Sequence, residues 1–115
     1  MISTRLIKKY PNRRLYDTQQ SRYITIDEVL GFVVSRQPIN VVDNRSKQTL
    51  TRSILLQLLT DLERRDPLFS EELLCRLIRM RNRCSTAAIR ECLEHGLALL
   101  DGADDGAAGG NGAEA

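Results

Sequence analysis

The chain has 115 residues, of which 42% are apolar, 28% charged and 4% aromatic, with no tryptophan. That length suits about one domain and leaves little room for a core, a deep catalytic cleft and a large cofactor cavity together. No apolar run approaches the roughly 18 residues of a membrane span, and no apolar signal segment follows Met1 to Lys9, so the expectation is a soluble, cytoplasmic protein without a membrane span.

The formal net charge of +2 hides an uneven distribution. Residues 1–25 carry Arg5, Lys8, Lys9, Arg13, Arg14 and Arg22 against Asp17 alone, a net of +5, whereas residues 101–115 carry four acids and no base. A basic head and an acidic tail therefore flank a nearly balanced middle.

Taken in chain order, Arg5 to Tyr10 reads as a strand, with Leu6 and Tyr10 alternating against Ile7. Pro11-Asn12 turns the chain. Arg14-Leu15-Tyr16 is a short extended piece, and Asp17 to Gln20 is a second turn. Asp17 has three open roles: capping its own turn, pairing with Arg14, or pairing with Arg22. Arg22 to Ile26 is a β-branched and aromatic strand. Thr25 stands three residues before Glu28, the spacing of a capping box, so a short helix begins here, with Val29, Leu30 and Val33 toward the core. It stops before Pro38. Ile39 to Asp43 is the next strand, and Gln48-Thr49-Leu50 is its candidate hairpin partner.

The pattern then becomes helical. Thr51 is a plausible N-cap, and Ile54, Leu55, Leu58, Leu59 and Leu62 recur at helical spacing until Asp66-Pro67 breaks the run. Ser70 to Arg83 reads as a second helix capped by Ser70, with Leu73, Leu74, Leu77 and Ile78 as its stripe. Ser85 to Leu100 reads as a third, carrying Ile89, Cys92, Leu93 and Leu97. The last fifteen residues hold five of the seven glycines and no large apolar anchor, so disorder is expected beyond Asp101-Gly102. The fold class is α+β: a small β-hairpin and short-helix N-terminal module, amphipathic helices, and a disordered acidic Gly/Ala tail. The expected divisions are 1–65, 66–100 and 101–115. Short helices rich in leucine and poor in aromatics bury little alone, which favours a homo-oligomer. The stripes either finish the core of the N-terminal module or pair with a second copy.

Enzyme chemistry finds no support. The chain has no Gly-rich phosphate loop, no paired carboxylates placed for acid–base work, and one histidine, His95. Cys75, Cys84 and Cys92 lack the paired spacing of a zinc site and read as buried helix cysteines in a reducing compartment. Neither metal nor cofactor is expected. The densest feature is Lys8 to Asp17, with four basic residues in seven positions. Strand alternation puts Lys8 and Lys9 on opposite faces, and Arg13 and Arg14 splay from the turn. Such a patch neutralises phosphates with a steep salt dependence, and guanidinium forks also read guanine edges. Tyr10, Tyr16 and Tyr23 are either stacking platforms or core.

The run Leu6-Ile7-Lys8-Lys9-Tyr10-Pro11-Asn12-Arg13-Arg14-Leu15-Tyr16-Asp17-Thr18, followed by Ser21 to Thr25, Val41-Val42-Asp43 and Leu50 to Gln57, closely resembles the DNA-binding N-terminal domain of the polyhydroxyalkanoate (polyhydroxybutyrate) synthesis repressor family, the PhaR type. The likeness covers about residues 4–63 and rests on a highly specific motif. It implies a bacterial transcriptional repressor of storage-polymer and granule-protein (phasin) genes that binds double-stranded DNA and is drawn off by the polymer granule. On that resemblance Lys8, Lys9, Tyr10, Asn12, Arg13, Arg14, Tyr16 and Arg22 contact DNA or hold the contacting loop. Leu73, Leu74, Leu77, Ile78, Ile89 and Leu93 form the oligomer or partner face. A fainter likeness continues through Pro67 to Arg79 and Cys92 to Glu94. There Met80 to Arg83 replaces an aromatic-glycine pair, and Cys92 replaces a tyrosine. The alternative implied function is a granule-associated or protein-docking module without specific DNA binding.

Overall fold

The computed structural model describes residues 3–107 and is α+β. The chain divides into two units, one ending at Leu68 and the other beginning at Phe69.

The first unit is a four-stranded sheet with two helices. Its strands are β1 (Arg5–Lys9), β2 (Leu15–Asp17), β3 (Arg22–Ile24) and β4 (Ile39–Asp43), in the order β3-β2-β1-β4. The two hairpins pair antiparallel, whereas β4 returns parallel to β1 after helix α1 (Ile26–Val34). Register decides what each face carries, because paired residues project to the same side. Ile7 stands between Asp17 and Val41, and Leu15 stands opposite Ile24. These side chains are buried, and they close on Val29 of α1 and on Ile54 and Leu58 of helix α2 (Thr51–Arg65). The opposite face carries Lys8, Tyr16, Tyr23 and Val42.

The capping box forms as its spacing predicts. The Glu28 N–H donates to Thr25 Oγ1 at 3.2 Å, and the Thr25 N–H donates to Glu28 Oε2 at 2.9 Å. The core-facing stripe of α1 differs from expectation: Val33 is exposed, while Ile26, Leu30 and Phe32 pack against the buried cluster. Phe32 is held there by the Arg5 guanidinium, 4.2 Å above its ring, a contact between elements that helical periodicity does not contain. Thr51 is not the cap of α2 either. Leu50 occupies that position, and Thr51 Oγ1 accepts from the Val41 N–H at 2.9 Å and donates to Asn40 Oδ1 at 3.2 Å. The hydroxyl thus satisfies an outward N–H of an edge strand, a group that would otherwise invite pairing with another chain. The expected hairpin partner of β4 is reduced to one bridge, Val42 with Thr49. On α2 only Ile54 and Leu58 are buried; Leu55, Leu56, Leu59 and Leu62 face outward, since one sheet face can cover one stripe of a helix.

Asp17 is wholly buried and ion-paired to Arg5, not to Arg14 or Arg22. It also caps its own turn, accepting from the Gln19 N–H at 3.0 Å. The pair joins the first strand to the second from within the helix-covered side of the sheet.

The second unit is a pair of helices, α3 (Glu71–Arg83) and α4 (Thr86–Ala107). Ser70 caps α3, accepting from the Leu73 N–H at 3.1 Å, and Ser85 accepts from the Ala88 N–H at 3.0 Å. Helix α4 runs past the expected break at Asp101-Gly102 to Ala107. The rest of the expected tail, residues 108–115, lies outside the described residues. Among the described residues of this unit none is buried, and Leu77, Met80 and Ile89 are half-buried. Cys75, Cys84 and Cys92 are all exposed, contrary to the buried reading, because two helices alone have no third element to cover them.

Candidate nucleic-acid interface

The basic head folds into the β1–β2 hairpin, and the loop at its tip is tightly specified. The Arg13 N–H donates to the Tyr10 carbonyl at 2.8 Å, and the Tyr10 N–H donates to the Arg14 carbonyl at 2.9 Å. Pro11 supplies the fixed φ that the second position of such a turn needs. Asn12 Oδ1 accepts from the Arg14 N–H at 3.1 Å, so this side chain holds the loop from within. Arg13 then takes φ 68°, the left-handed conformation that a three-residue hairpin loop requires and that glycine usually supplies. An arginine there costs about 1–2 kcal/mol relative to an ordinary conformation. Pro11, Asn12, Arg13 and Arg14 are all exposed.

Behind the tip, on the side of the sheet away from the core, the three tyrosines form one cluster. Ring centroids lie 6.4 Å apart for Tyr10 and Tyr16, 6.1 Å for Tyr10 and Tyr23, and 5.3 Å for Tyr16 and Tyr23, all edge to face. Such pairs contribute about 0.5–1.5 kcal/mol each beyond their buried area. Tyr23 remains 48% exposed, which leaves an aromatic surface in water. The Arg14 guanidinium lies 5.0 Å from the Tyr23 ring centroid. Lys8, the register partner of Tyr16, adds an ammonium to the same face.

Lys9 stands on the other side, in register with Leu15. There, with Arg13, it lines a cleft of about 590 Å³ that reaches Thr25 at the start of α1 and Gln57 of α2.

The six bases of the head separate into two groups. Arg5 is consumed by Asp17. Arg22 pairs with Glu28 and donates to Gln20 Oε1 at 3.0 Å and to the Tyr23 carbonyl at 3.2 Å. The hydrogen bond to Glu28 raises the Arg22 pKa further, and the same bond holds the Glu28 carboxyl below its ordinary value. Lys8, Lys9, Arg13 and Arg14 have no ion pair with any described residue. The structure therefore gathers Lys8, Tyr10, Asn12, Arg13, Arg14 and Tyr16 at or beside the hairpin tip, turns Lys9 to the cleft side, and ties Arg22 to the helix cap. Sequence reasoning missed Gln57 and Thr25 as neighbours of the basic tip. Both arrive through tertiary packing, and no local signal marks them.

Among the described residues no cluster of three or more His, Cys, Asp or Glu gathers as a metal site, and no helix is long and apolar enough to cross a membrane. On the second unit, Leu77, Ile89 and Leu93 line an apolar groove of about 230 Å³ with Met80, Cys84 and Cys92. Leu73, Leu74 and Ile78 are exposed on α3.

Two curated relatives match over 101 residues, 87% of this chain. An uncharacterized protein of Allochromatium vinosum is 46% identical, and the chain spans 66% of its length. A protein of Thiocystis violacea, described as an uncharacterized protein in the phbA 5′ region, is 44% identical, and 73% of its length is spanned. No solved structure matches. Residues 6–66, nearly the whole first unit with its hairpin, sheet and two helices, match the model of the PHB/PHA accumulation regulator DNA-binding domain, and the chain belongs to that family.

Proposed function

We propose that the protein is a sequence-specific repressor of polyhydroxyalkanoate storage and granule-protein (phasin) genes, acting in the cytoplasm as a homo-oligomer on double-stranded DNA. The observation that carries this reading is the set of four cations without ion pairs, Lys8, Lys9, Arg13 and Arg14, on and beside an exposed hairpin tip. The neighbouring bases, Arg5 and Arg22, are neutralised, and the tip is left for an external anion. The exposed ring of Tyr23 and the half-buried rings of Tyr10 and Tyr16 add a surface for sugar or base contact. Arg13 and Arg14, exposed at the hairpin tip, contact base or phosphate, while Asn12 holds the loop that carries them.

Four contacted phosphates per chain would give a slope of about −3.6 in log K against log salt. The test is fluorescence anisotropy with the duplex upstream of the protein's own gene, a scrambled duplex and the matching single strand. The expected result is about tenfold or greater preference for the upstream duplex. It should be lost in Arg13→Ala/Arg14→Ala, with a cost of about 2–3 kcal/mol for two charge-assisted contacts. Equal binding to all three probes would reduce the tip to a generic phosphate binder.

A second reading is favoured by a different observation. The apolar stripes of α3 and α4 are uncovered, and this fits a module that docks on a granule surface or on another protein. Under the repressor reading the same stripes join copies of the chain, and polymer granules compete for them to release the DNA. Retention of the chain on polymer granules with no preference for the upstream duplex would favour docking alone.

A further inference from the structure

Helices α3 and α4 leave apolar side chains uncovered along both of them, and the charges around that surface are sorted by position. The helices are joined only by Cys84 and Ser85, and Leu77 and Leu93, about equally far from that turn, line one groove. They therefore form a hairpin with a turn end and an open end. Residues 77–93 make the turn end and carry Arg79, Arg81, Arg83 and Arg90 against Glu91, a net of +3. Residues 69–76 and 94–102 make the open end and carry Glu71, Glu72, Glu94 and Asp101 against Arg76, a net of −3 with His95 neutral. All of these charged side chains are exposed. Arg79 reaches Glu72 at 3.7 Å, whereas Arg81, Arg83, Arg90, Glu71, Glu94 and Asp101 have no ion pair with any described residue.

Helix electrostatics accounts for half of this pattern. Acids at the start of α3 and bases at its end complement its macrodipole. In α4 the order is reversed: the first turn holds no acid, and Arg90 precedes Glu94 and Asp101, which works against the dipole. What the two helices share is the end of the hairpin at which each sign collects. An uncharged polymer surface could cover the leucines but would make no use of this sorting. A second copy turned end for end uses both, because it sets +3 against −3 at each end. Two copies aligned the same way would bring like charges together at both ends.

We propose that α3 and α4 are the docking site for a second copy of the chain, and that the two hairpins pack antiparallel about a two-fold axis, the turn end of each against the open end of the other. This orientation rests on the homo-oligomer reading above. Apolar side chains such as Leu74, Ile78, Leu93 and Leu97, all exposed in the single chain, supply the affinity. The charges around them fix the direction. The chain enters each hairpin at Phe69, at the open end, so the two first units are attached at opposite ends of the pair.

The test follows association of the full chain by sedimentation. Antiparallel pairing should weaken about fivefold to tenfold between about 0.05 M and about 0.5 M sodium chloride, as salt screens the end charges. Arg81→Gln/Arg83→Gln keeps good helix formers and should leave circular dichroism unchanged. It removes two rim contacts from each end of the pair, so association at low salt should weaken about tenfold and lose most of its salt dependence. Tighter association with salt and with the glutamines would mean that like ends meet, and would overturn the orientation. No response to either would overturn it as well, since apolar packing alone would then set the pairing. In Cys75→Ser/Cys92→Ala, Cys84 is the sole thiol and marks the turn end. Helix α3 has 13 residues and is about 20 Å long, so spin labels on Cys84 should lie about 20 Å or more apart. A separation well below that length, with association intact, keeps the oligomer and overturns the antiparallel geometry. A chain that is monomeric at every salt concentration removes the homo-oligomer reading and this geometry with it, and its retention on polymer particles would assign the face to the polymer.

Discussion

The two units solve the problem of apolar surface in opposite ways. In the first, a sheet presents Ile7, Leu15, Ile24 and Val41 to two helices, and Val29, Ile54 and Leu58 complete a buried cluster. In the second, α3 and α4 carry as rich a set of leucines and bury none of them among the described residues. Helix formation is possible in both, since each helix has its capping or hydrogen-bonded start. The stability of a short helix, however, comes mostly from packing of its apolar face. A unit with its own core can fold and hold a strained loop. A unit without one takes its stability from whatever covers it. The first unit therefore has the rigid geometry that recognition needs, whereas the second carries an uncovered apolar face.

The largest test of that contrast is Asp17→Ala. It leaves the Arg5 guanidinium without its partner on the enclosed side of the sheet. Removing one member of such a pair costs about 3–5 kcal/mol, most of a small domain's stability. The expected outcome is loss of cooperative unfolding of the first unit in a urea titration. A change below about 1 kcal/mol would mean that Arg5 finds water or another acceptor, and that the sheet does not depend on the pair.

Leu77→Asp probes the other side of the contrast. Leu77 is half-buried against the groove that α3 shares with α4, and a carboxylate there is incompatible with an apolar association face. Sedimentation should show a larger species for the unmodified chain and a drop in mass for the variant. The loss is about 2 kcal/mol or more per chain, the cost of truncating and charging an interface core. A monomeric unmodified chain whose α3 and α4 stay helical would break the comparison, since helices without a buried face would then be stable alone.

Much of this architecture is legible in the sequence, and the limits are physical. Local signals carried through well: Thr25 and Glu28 as a capping box, Ser70 as a cap, Pro11-Asn12 as a turn, and Lys8 and Lys9 on opposite faces. Each depends on residues near one another in the chain. The failures share a different cause. Arg5 with Asp17, Phe32 in place of Val33, and Thr51 on the β4 edge are contacts between elements, decided only when the sheet order β3-β2-β1-β4 is known. The cysteines differ for a related reason: burial was inferred from residue type, and the second unit has no partner element to provide it. At the candidate site, the basic and aromatic residues are visible as a motif. Which of them remain unpaired is not, because Arg5 and Arg22 look no different in sequence from Arg13 and Arg14.

Arg13→Gly sharpens the comparison within the hairpin itself. At φ 68° glycine meets no penalty, so the variant should gain about 1 kcal/mol of stability in urea unfolding. The same change removes a guanidinium from the tip and should weaken the upstream duplex about tenfold, lowering the salt slope by about one. Opposite signs in the two measurements would show that the arginine is kept for contact at the expense of local strain. Equal gains in both would place the DNA surface elsewhere.

The smallest expected effect is a pH dependence, and its sign is fixed by Glu28. The hydrogen bond from Arg22 is the largest cause that lowers its pKa below the ordinary 4.5, with the Thr25 N–H next. A carboxyl lowered in the folded state contributes stability that is fully present above 4.5 and is lost as pH falls through the folded value. Asp43 adds a contribution of the same sign, its carboxylate held mainly by the Ser46 N–H. Both groups are partly open to solvent, so screening keeps the effect small. The first unit should therefore melt at a lower temperature as pH drops below 4.5, and Glu28→Gln, which keeps an acceptor for the Thr25 N–H, should flatten part of that acid limb. A steeper acid loss of chain association than of the first unit's melting would locate the acid-sensitive contacts between copies of the chain rather than in the helix cap.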